Sequence, residues 1–323
     1  MHTVLVTAIG SFSADVVIRR LHELGARVVG CDIYPREWIA DSMNVDAFYH
    51  APYATDADAY GAFIRDVCAR EQVDLIMPLT DVEVDFYNGT FRDTAPDGVA
   101  VCISPRETIR LCRDKDAMAR FLEESASGVR GIPTRWLSDV ANEPFGGPVV
   151  IKPIDGRSSQ GLSRCCDAAA WDAARHPSDP DRFIVQPLIE GPVVTVDVVR
   201  SPDGSVCAAV PREELLRTLN GAGTSVHVYR DEALEASCRA LAEELGIVGC
   251  VNFEFIRAKD GYRFLECNPR FSGGVEFSCI AGYDCVGNHL KAFTGEALDQ
   301  PEPFAGCWIA RKYEEFVTKV DEL

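Results

Sequence analysis

Glu266, Asn268 and Arg270 stand at spacing two at the end of a stretch with the hydrophobicity of a buried strand, FEFIRAKDGYRFLECNPRFSGG (253–274). At that spacing a carboxylate, an amide and a guanidinium share one face of a strand. Burying them without partners is costly, so the face is expected to meet something charged. The AKDG segment between two apolar runs signals a hairpin. A two-residue Asp260-Gly261 loop pairs Glu254 with Cys267 and sends Glu254 and Glu266 to opposite faces. A three-residue Lys259-Asp260-Gly261 loop, with Gly261 in a G1 bulge, pairs Ala258 with Tyr262 and sets Glu254 opposite Glu266. Two carboxylates side by side repel unless a cation lies between them. With Asn268 they form a hard oxygen set suited to Mg²⁺ or Mn²⁺, the other positions being left to phosphates and water. Arg270 continues that face as an anion partner. A solvated hairpin face is the plainer alternative.

Two further segments carry chemistry. In PVVIKPIDGRSSQGL (148–162) a strand delivers Lys152. The loop after it holds Gly156, Ser158, Ser159 and Gly161, whose amides and hydroxyls can wrap a polyphosphate. The lysine precedes the glycines, so this is not a Walker A loop; an ordinary surface hairpin is the competing reading. FIVQPLIEGPVVTVDVV (183–199) reads as a strand, a break at Pro187 and a second strand. Such a break exposes backbone groups to an adenine edge, although a kinked strand explains it as well.

The elements that must position these residues change character along the chain. The first hundred residues alternate strand and helix: TVLVTA, a helix over 13–24 ended by Gly25, RVVGCDI, a helix around 58–72, VDLIMPL and VAVCIS. Continuous apolar strands between amphipathic helices predict an open, mostly parallel α/β sheet. Its first turn, TAIGSFS, has one glycine where a dinucleotide fingerprint needs three, so Asp32 at the end of the second strand is weak evidence for a ribose. In SPRETIRLCRDKDAMARFLEE the spacing predicts a capping box with Ser104 as N-cap, Pro105 at N1 and Glu107 at N3. Beyond it strands and glycines alternate until DEALEASCRALAEELG (231–246), which suggests a domain boundary near residue 105. In PLTDVEVDFY, Asp81 and Glu83 follow a strand's C-terminal end, where open sheets bind ligands. They are candidates to read a substrate ammonium; acids complementing a helix dipole are the alternative.

The chain of 323 residues carries a net charge of −18, which argues against nucleic acid or an anionic membrane as the main partner. Thirteen cysteines without C-x-x-C or zinc spacing read as buried reduced thiols. With no signal-peptide pattern and no apolar run long enough to span a bilayer, a soluble cytoplasmic protein is expected.

In this order the three segments resemble the ATP-grasp superfamily, particularly its branch similar to the large subunit of carbamoyl-phosphate synthase. The most specific element is FLECNPRFSGG with Glu254 twelve residues before Glu266. The resemblance implies an N-terminal Rossmann-like pre-ATP-grasp domain (1–105), followed by a two-subdomain α+β ATP-grasp fold. Its smaller lid is placed at 106–182 and its larger unit at 183–323. Lys115 and Lys152 are assigned to the ATP phosphates and Gly156, Ser158, Ser159, Gln160 and Gly161 to a loop closing over them. Gln186, Pro187 and Leu188 become the hinge around adenine with Glu190 nearby. Glu254, Glu266 and Asn268 hold Mg²⁺ or Mn²⁺, and Arg270 faces the γ-phosphate and the acyl phosphate. Arg212 and Arg217 fall where a basic residue often meets phosphate or substrate, with a surface charge as the alternative. Val193 stands where many relatives carry a ribose-binding glutamate, so the ribose contacts must differ. The implied activity is ATP-dependent joining of a small-molecule carboxylate to an amine or other nucleophile. Carbamate phosphorylation or carboxylation on the same fold, and a nucleotide-binding regulator without turnover, are the alternatives. Many members dimerise, which makes a homodimer one expected assembly.

Overall fold

The computed structural model describes residues 2–156, 160–218 and 221–321. Five parallel strands form the first sheet: β1 (Thr3–Thr7), β2 (Arg27–Asp32), β3 (Ala47–His50), β4 (Leu75–Pro78) and β5 (Ala100–Val101), in the order β3-β2-β1-β4-β5. Val4, Leu5 and Val6 are wholly buried because helices cover both faces of β1. The first crossover helix spans Ala14–Glu23 and ends at Gly25, whose φ of +78° suits a residue without a Cβ. The strand order reverses between β1 and β4, which opens a crevice at their C-terminal ends. Two loops line it, residues 11–13 after β1 and residues 79–82 after β4.

Two antiparallel sheets follow. One contains β6 (Arg135–Trp136), β7 (Val149–Pro153), β8 (Ser163–Cys165) and β9 (Phe183–Pro187), in the order β6-β9-β7-β8. Ile151, Cys165, Trp171 and Leu137 fill its small core. The other contains β10 (Val193–Arg200), β11 (Cys207–Arg217), β12 (Gly223–Val228), β13 (Gly249–Ala258), β14 (Gly261–Asn268) and β15 (Cys307–Ala310), in the order β14-β13-β10-β11-β12-β15. Alternation splits its faces. Val194, Val196, Val198, Phe253 and Phe255 pack on Leu234, Leu241, Met118 and Leu122 from two helices, while the opposite face is apolar at one end and polar at the other. The apolar end joins the helices Val275–Ala281 and Cys285–Thr294 to the first sheet in one continuous core.

Three expectations change. Phe183–Pro187 pairs with β7 and β6, so it completes the four-stranded sheet instead of opening the C-terminal unit. Two helices follow residue 105, Arg106–Arg113 and Lys115–Glu124. They are broken at Asp114, whose carboxylate accepts from the amides of Asp116 and Ala117. Met118 and Leu122 of the second helix belong to the core of the six-stranded sheet, so the segment 106–182 is not one packed unit. The capping box does not form. Ser104 Oγ instead donates to the Val248 carbonyl at 2.9 Å and accepts from its amide at 3.1 Å, tying the first sheet's last loop to the approach to β13.

The hairpin also differs in its turn. Ala258 pairs with Gly261, so the loop has two residues, Lys259-Asp260. A bulge at Leu265 then changes the register, because Phe255 faces Phe264 while Glu254 faces Glu266. The expected opposition of the carboxylates is present, reached by a tighter turn and an added residue in β14. At the far edge β15 adds to β12, with Trp308 stacked on His227 at 4.3 Å. The next residue, Arg311, donates to the carbonyls of Phe12 and Gly273, with its guanidinium over the rings of Phe12 and Phe277. The chain then reaches Glu37, where Lys319 pairs at 3.0 Å.

Candidate active site

The polar end of the six-stranded sheet is the floor of a cleft of about 450 Å³ between all three sheets. Period two places Thr195 and Asp197 of β10, Arg212 and Glu214 of β11, Asn252 and Glu254 of β13, and Glu266 and Asn268 of β14 on this one face. The register sets Thr195 between Arg212 and Glu254, and Asp197 beside Asn252, which in turn faces Asn268. Lys115 and Lys152 reach the cleft from the far wall, and Arg270 from just beyond β14.

Charge is dense and largely out of water. Burial and the neighbouring Glu266 charge push the Glu254 carboxyl up, partly offset by Arg217, whose Nη2 donates to Glu254 Oε2 at 3.1 Å. Asn268 sits within reach of both neighbours: its Nδ2 lies 3.4 Å from Glu254 Oε1 and its Oδ1 accepts from Arg270 at 3.2 Å. Lys115 Nζ donates to the Gly156 carbonyl at 2.6 Å and lies 3.7 Å from Glu266. Lys152 is 6 % exposed, and burial lowers its pKa to about 8 against the pull of Glu266.

These residues fit a hard divalent cation. The Glu254 carboxyl is held up by burial and by the Glu266 charge, which a positive ion between them would offset, and the Asn268 amide supplies a third oxygen once it turns Oδ1 inward. Among the described residues no group of three His, Cys, Asp or Glu side chains forms a closed metal cage. That suits an ion completing its shell with phosphate oxygens and water.

Lys115, Lys152, Gly156, Gln160, Arg217, Glu254, Glu266, Asn268, Arg270 and Asp81 all border this cleft. Ser158 and Ser159 lie outside the described residues. Gly161 turns with φ +72°, and a Cβ there would meet Pro153 at 2.9 Å, so the position needs glycine. Several expected ligand residues are otherwise engaged. Arg212 is 1 % exposed and donates to Glu214, Asp197, Ser272 and Ser278, which leaves little of it for a nucleotide. Gln186 borders a small recess beside Lys115 and Leu265, and its amide donates to Thr134 at 2.9 Å. The Leu188 amide donates to the Pro148 carbonyl, so that hinge donor is satisfied within the protein. Pro187 and Glu190 are exposed and do not line the cleft.

Of the two acids proposed for an ammonium, Glu83 turns into the first sheet's core. There it accepts from Tyr60 and Thr80 at 2.9 and 2.8 Å, and burial raises its pKa. Asp81 borders the cleft but accepts from Arg270 at 2.9 Å, a bond that joins the two halves of the molecule. Asp32 braces the first loop, accepting from the amides of Gly10 and Tyr34. Sequence reasoning missed Thr195, Asp197, Glu214 and Asn252. The signal was present in VVTVDVV and CVNFEF, where polar residues at spacing two interrupt apolar strands, as in the opening motif.

A family described as "ATP-grasp in the biosynthetic pathway with Ter operon" matches residues 179–314. A formate-dependent phosphoribosylglycinamide formyltransferase from Synechococcus sp. (strain CC9605) is 27% identical over 283 residues, covering 83% of this chain and 69% of that protein. Among solved structures, the biotin carboxylase domain of Hydrogenobacter thermophilus 2-oxoglutarate carboxylase, in complex with MgADP, ADP and bicarbonate, superposes with a TM-score of 0.74 at 20% identity. It covers 91% of this chain and 70% of that one. An N5-carboxyaminoimidazole synthetase from Staphylococcus aureus complexed with ADP gives 0.72 at 15% identity, covering 92% and 78%. With the three sheets and the shared cleft, these likenesses agree: residues 179–314 match an ATP-grasp family, and the chain as a whole has the fold of ATP-grasp enzymes.

Proposed function

We propose that this chain is an ATP-dependent ligase that phosphorylates a carboxylate with release of ADP and passes the acyl group to an amine or another nucleophile. The carboxylate is that of an amino acid or a similar small metabolite. The observation that carries the reading is the opposition of Glu254 and Glu266 beside Asn268 in one cleft with Lys115, Lys152 and Arg270. A pocket that only bound a nucleotide would have no reason to crowd two half-buried carboxylates together. MgATP is the co-substrate, and its cation neutralises charge on the phosphates.

In this reading Lys115 and Lys152 hold the phosphates, and Glu254, Glu266 and Asn268 hold the ion that accompanies them. The carboxylate oxygen attacks the γ-phosphorus in line; an O–P bond forms, the bond to the β-phosphate oxygen breaks, and ADP leaves. Arg270 stabilises the oxyanion when the nucleophile displaces phosphate from the acyl carbon. Arg217, on Glu254 in the structure, is the cation best placed to move to substrate or phosphate.

The test is Mg²⁺-dependent ADP release from ATP with pooled amino acids and small carboxylates. Pool-dependent ADP that is lost in Glu266→Gln is the expected result, and mass spectrometry of the pool then names the product. AMP in place of ADP overturns the acyl-phosphate route. A strict need for bicarbonate points to carboxylation instead.

A further inference from the structure

Glu214 lies 3 % exposed on the cleft floor, and its two oxygens have different fates. Oε1 accepts from Arg212 Nε at 3.1 Å, whereas Oε2 is buried without a hydrogen-bond partner. Thr195 Oγ1, on the strand paired to Arg212, is also buried without a partner and also borders the cleft. Arg212 cannot balance its surroundings, because one guanidinium serves both Asp197 at 2.6 Å and Glu214. Arg217 is committed to Glu254, and Arg311 acts on Glu214 without pairing to it, so Glu214 shares its one direct guanidinium with Asp197. A buried carboxylate oxygen with no donor is expensive to keep. Gly223 supports the arrangement, since a Cβ there would come within 2.0 Å of Glu214 Oε2.

The opposite end of the same cleft carries Lys115, Lys152 and Arg270. A ligand complementary to both ends is a zwitterion, with its carboxylate toward the cations and an ammonium toward Glu214. We infer that Glu214, with Thr195 as a second acceptor, forms a subsite for a primary ammonium group on the acid that is activated. The inference rests on the ligase reading above and narrows its substrate to an amino acid. The subsite also assigns that molecule its role. A carboxylate beside an amine keeps it protonated, and an ammonium has no lone pair to attack an acyl phosphate. Glu214 thus marks the amino acid as acyl donor and keeps its amine from serving as the nucleophile.

The experiment pairs α-amino acids with their 2-hydroxy and des-amino analogues of equal carbon skeleton, with MgATP and hydroxylamine as a general nucleophile. Hydroxamate and ADP are both measured. The amino acids are expected to exceed their analogues in kcat/KM by on the order of 100-fold or more. Glu214→Gln should raise KM for the amino acid by about tenfold or more while leaving KM for MgATP nearly unchanged. Thermal stabilisation by MgADP checks that the variant is folded, and the analogue series on the unaltered protein does not depend on it. Equal use of amino and des-amino acids overturns the subsite and leaves the ligase standing. Absence of ADP and hydroxamate with every acid overturns the ligase reading, and the subsite with it.

Discussion

Lys152 holds its ammonium almost entirely out of water, and burial lowers its pKa to about 8, with Glu266 pulling the other way. A polyphosphate beside it would restore the proton, so binding takes up a proton above that pH. Affinity for MgATP should therefore fall as pH rises through about 8, by up to tenfold per pH unit. Nucleotide titrations from about pH 6.5 to about 9.5 check this, and Lys152→Arg should flatten the profile because guanidinium stays charged. Stability runs in the other direction. Between about 8 and 10.5 the unfolded chain binds more protons at this site than the folded one, so its contribution to stability rises with pH across that window. The spacing of Glu266, Asn268 and Arg270 made this part of the site legible, because period two needs no knowledge of neighbouring strands. The burial of Arg212 was not legible for the converse reason. Its partner Asp197 becomes visible only when β10 and β11 are laid side by side.

At the scale of elements, the bulge in β14 has a purpose that a regular hairpin would not serve. An uninterrupted ladder from the Lys259-Asp260 turn would put Leu265 opposite Glu254 and send Glu266 to the other face. The added residue lets Leu265 and Glu266 both border the cleft. Deleting Leu265 should keep the two carboxylates opposed while removing an apolar wall, at a cost of about 1.5–3 kcal/mol of nucleotide binding. Steady-state kinetics would show KM for ATP raised at least about tenfold, with the Mg²⁺ dependence retained. The hairpin was legible from AKDG but its loop length was not, since a bulge and a longer turn produce the same downstream register. The capping box failed similarly: Ser104 has the right spacing, and a partner 144 residues away wins its hydroxyl.

For the whole molecule, the parallel first sheet was readable from alternation, and the likeness to ATP-grasp enzymes from motif order. The packing of helix Lys115–Glu124 on the six-stranded sheet was not, because local pattern says which face is apolar but not what covers it. Burial of the thiols provides a global check. All 13 cysteines are free; nine are buried, three half-buried, and Cys166 is exposed. A thiol reagent should modify one cysteine quickly in the native protein, a few more slowly, and the remainder only in denaturant, with peptide mapping placing the fast site at Cys166. Several equivalents reacting at once would contradict this core. Arg311 has a consequence in time as well as in space. It clasps Phe12 from the first loop and follows β15, which supplies the edge pairing of the six-stranded sheet. During synthesis the first sheet emerges early, but β12 waits with an open edge until residues 307–311 leave the ribosome. The Phe12 loop, which lines the cleft, therefore stays unclasped in the nascent chain until that segment emerges.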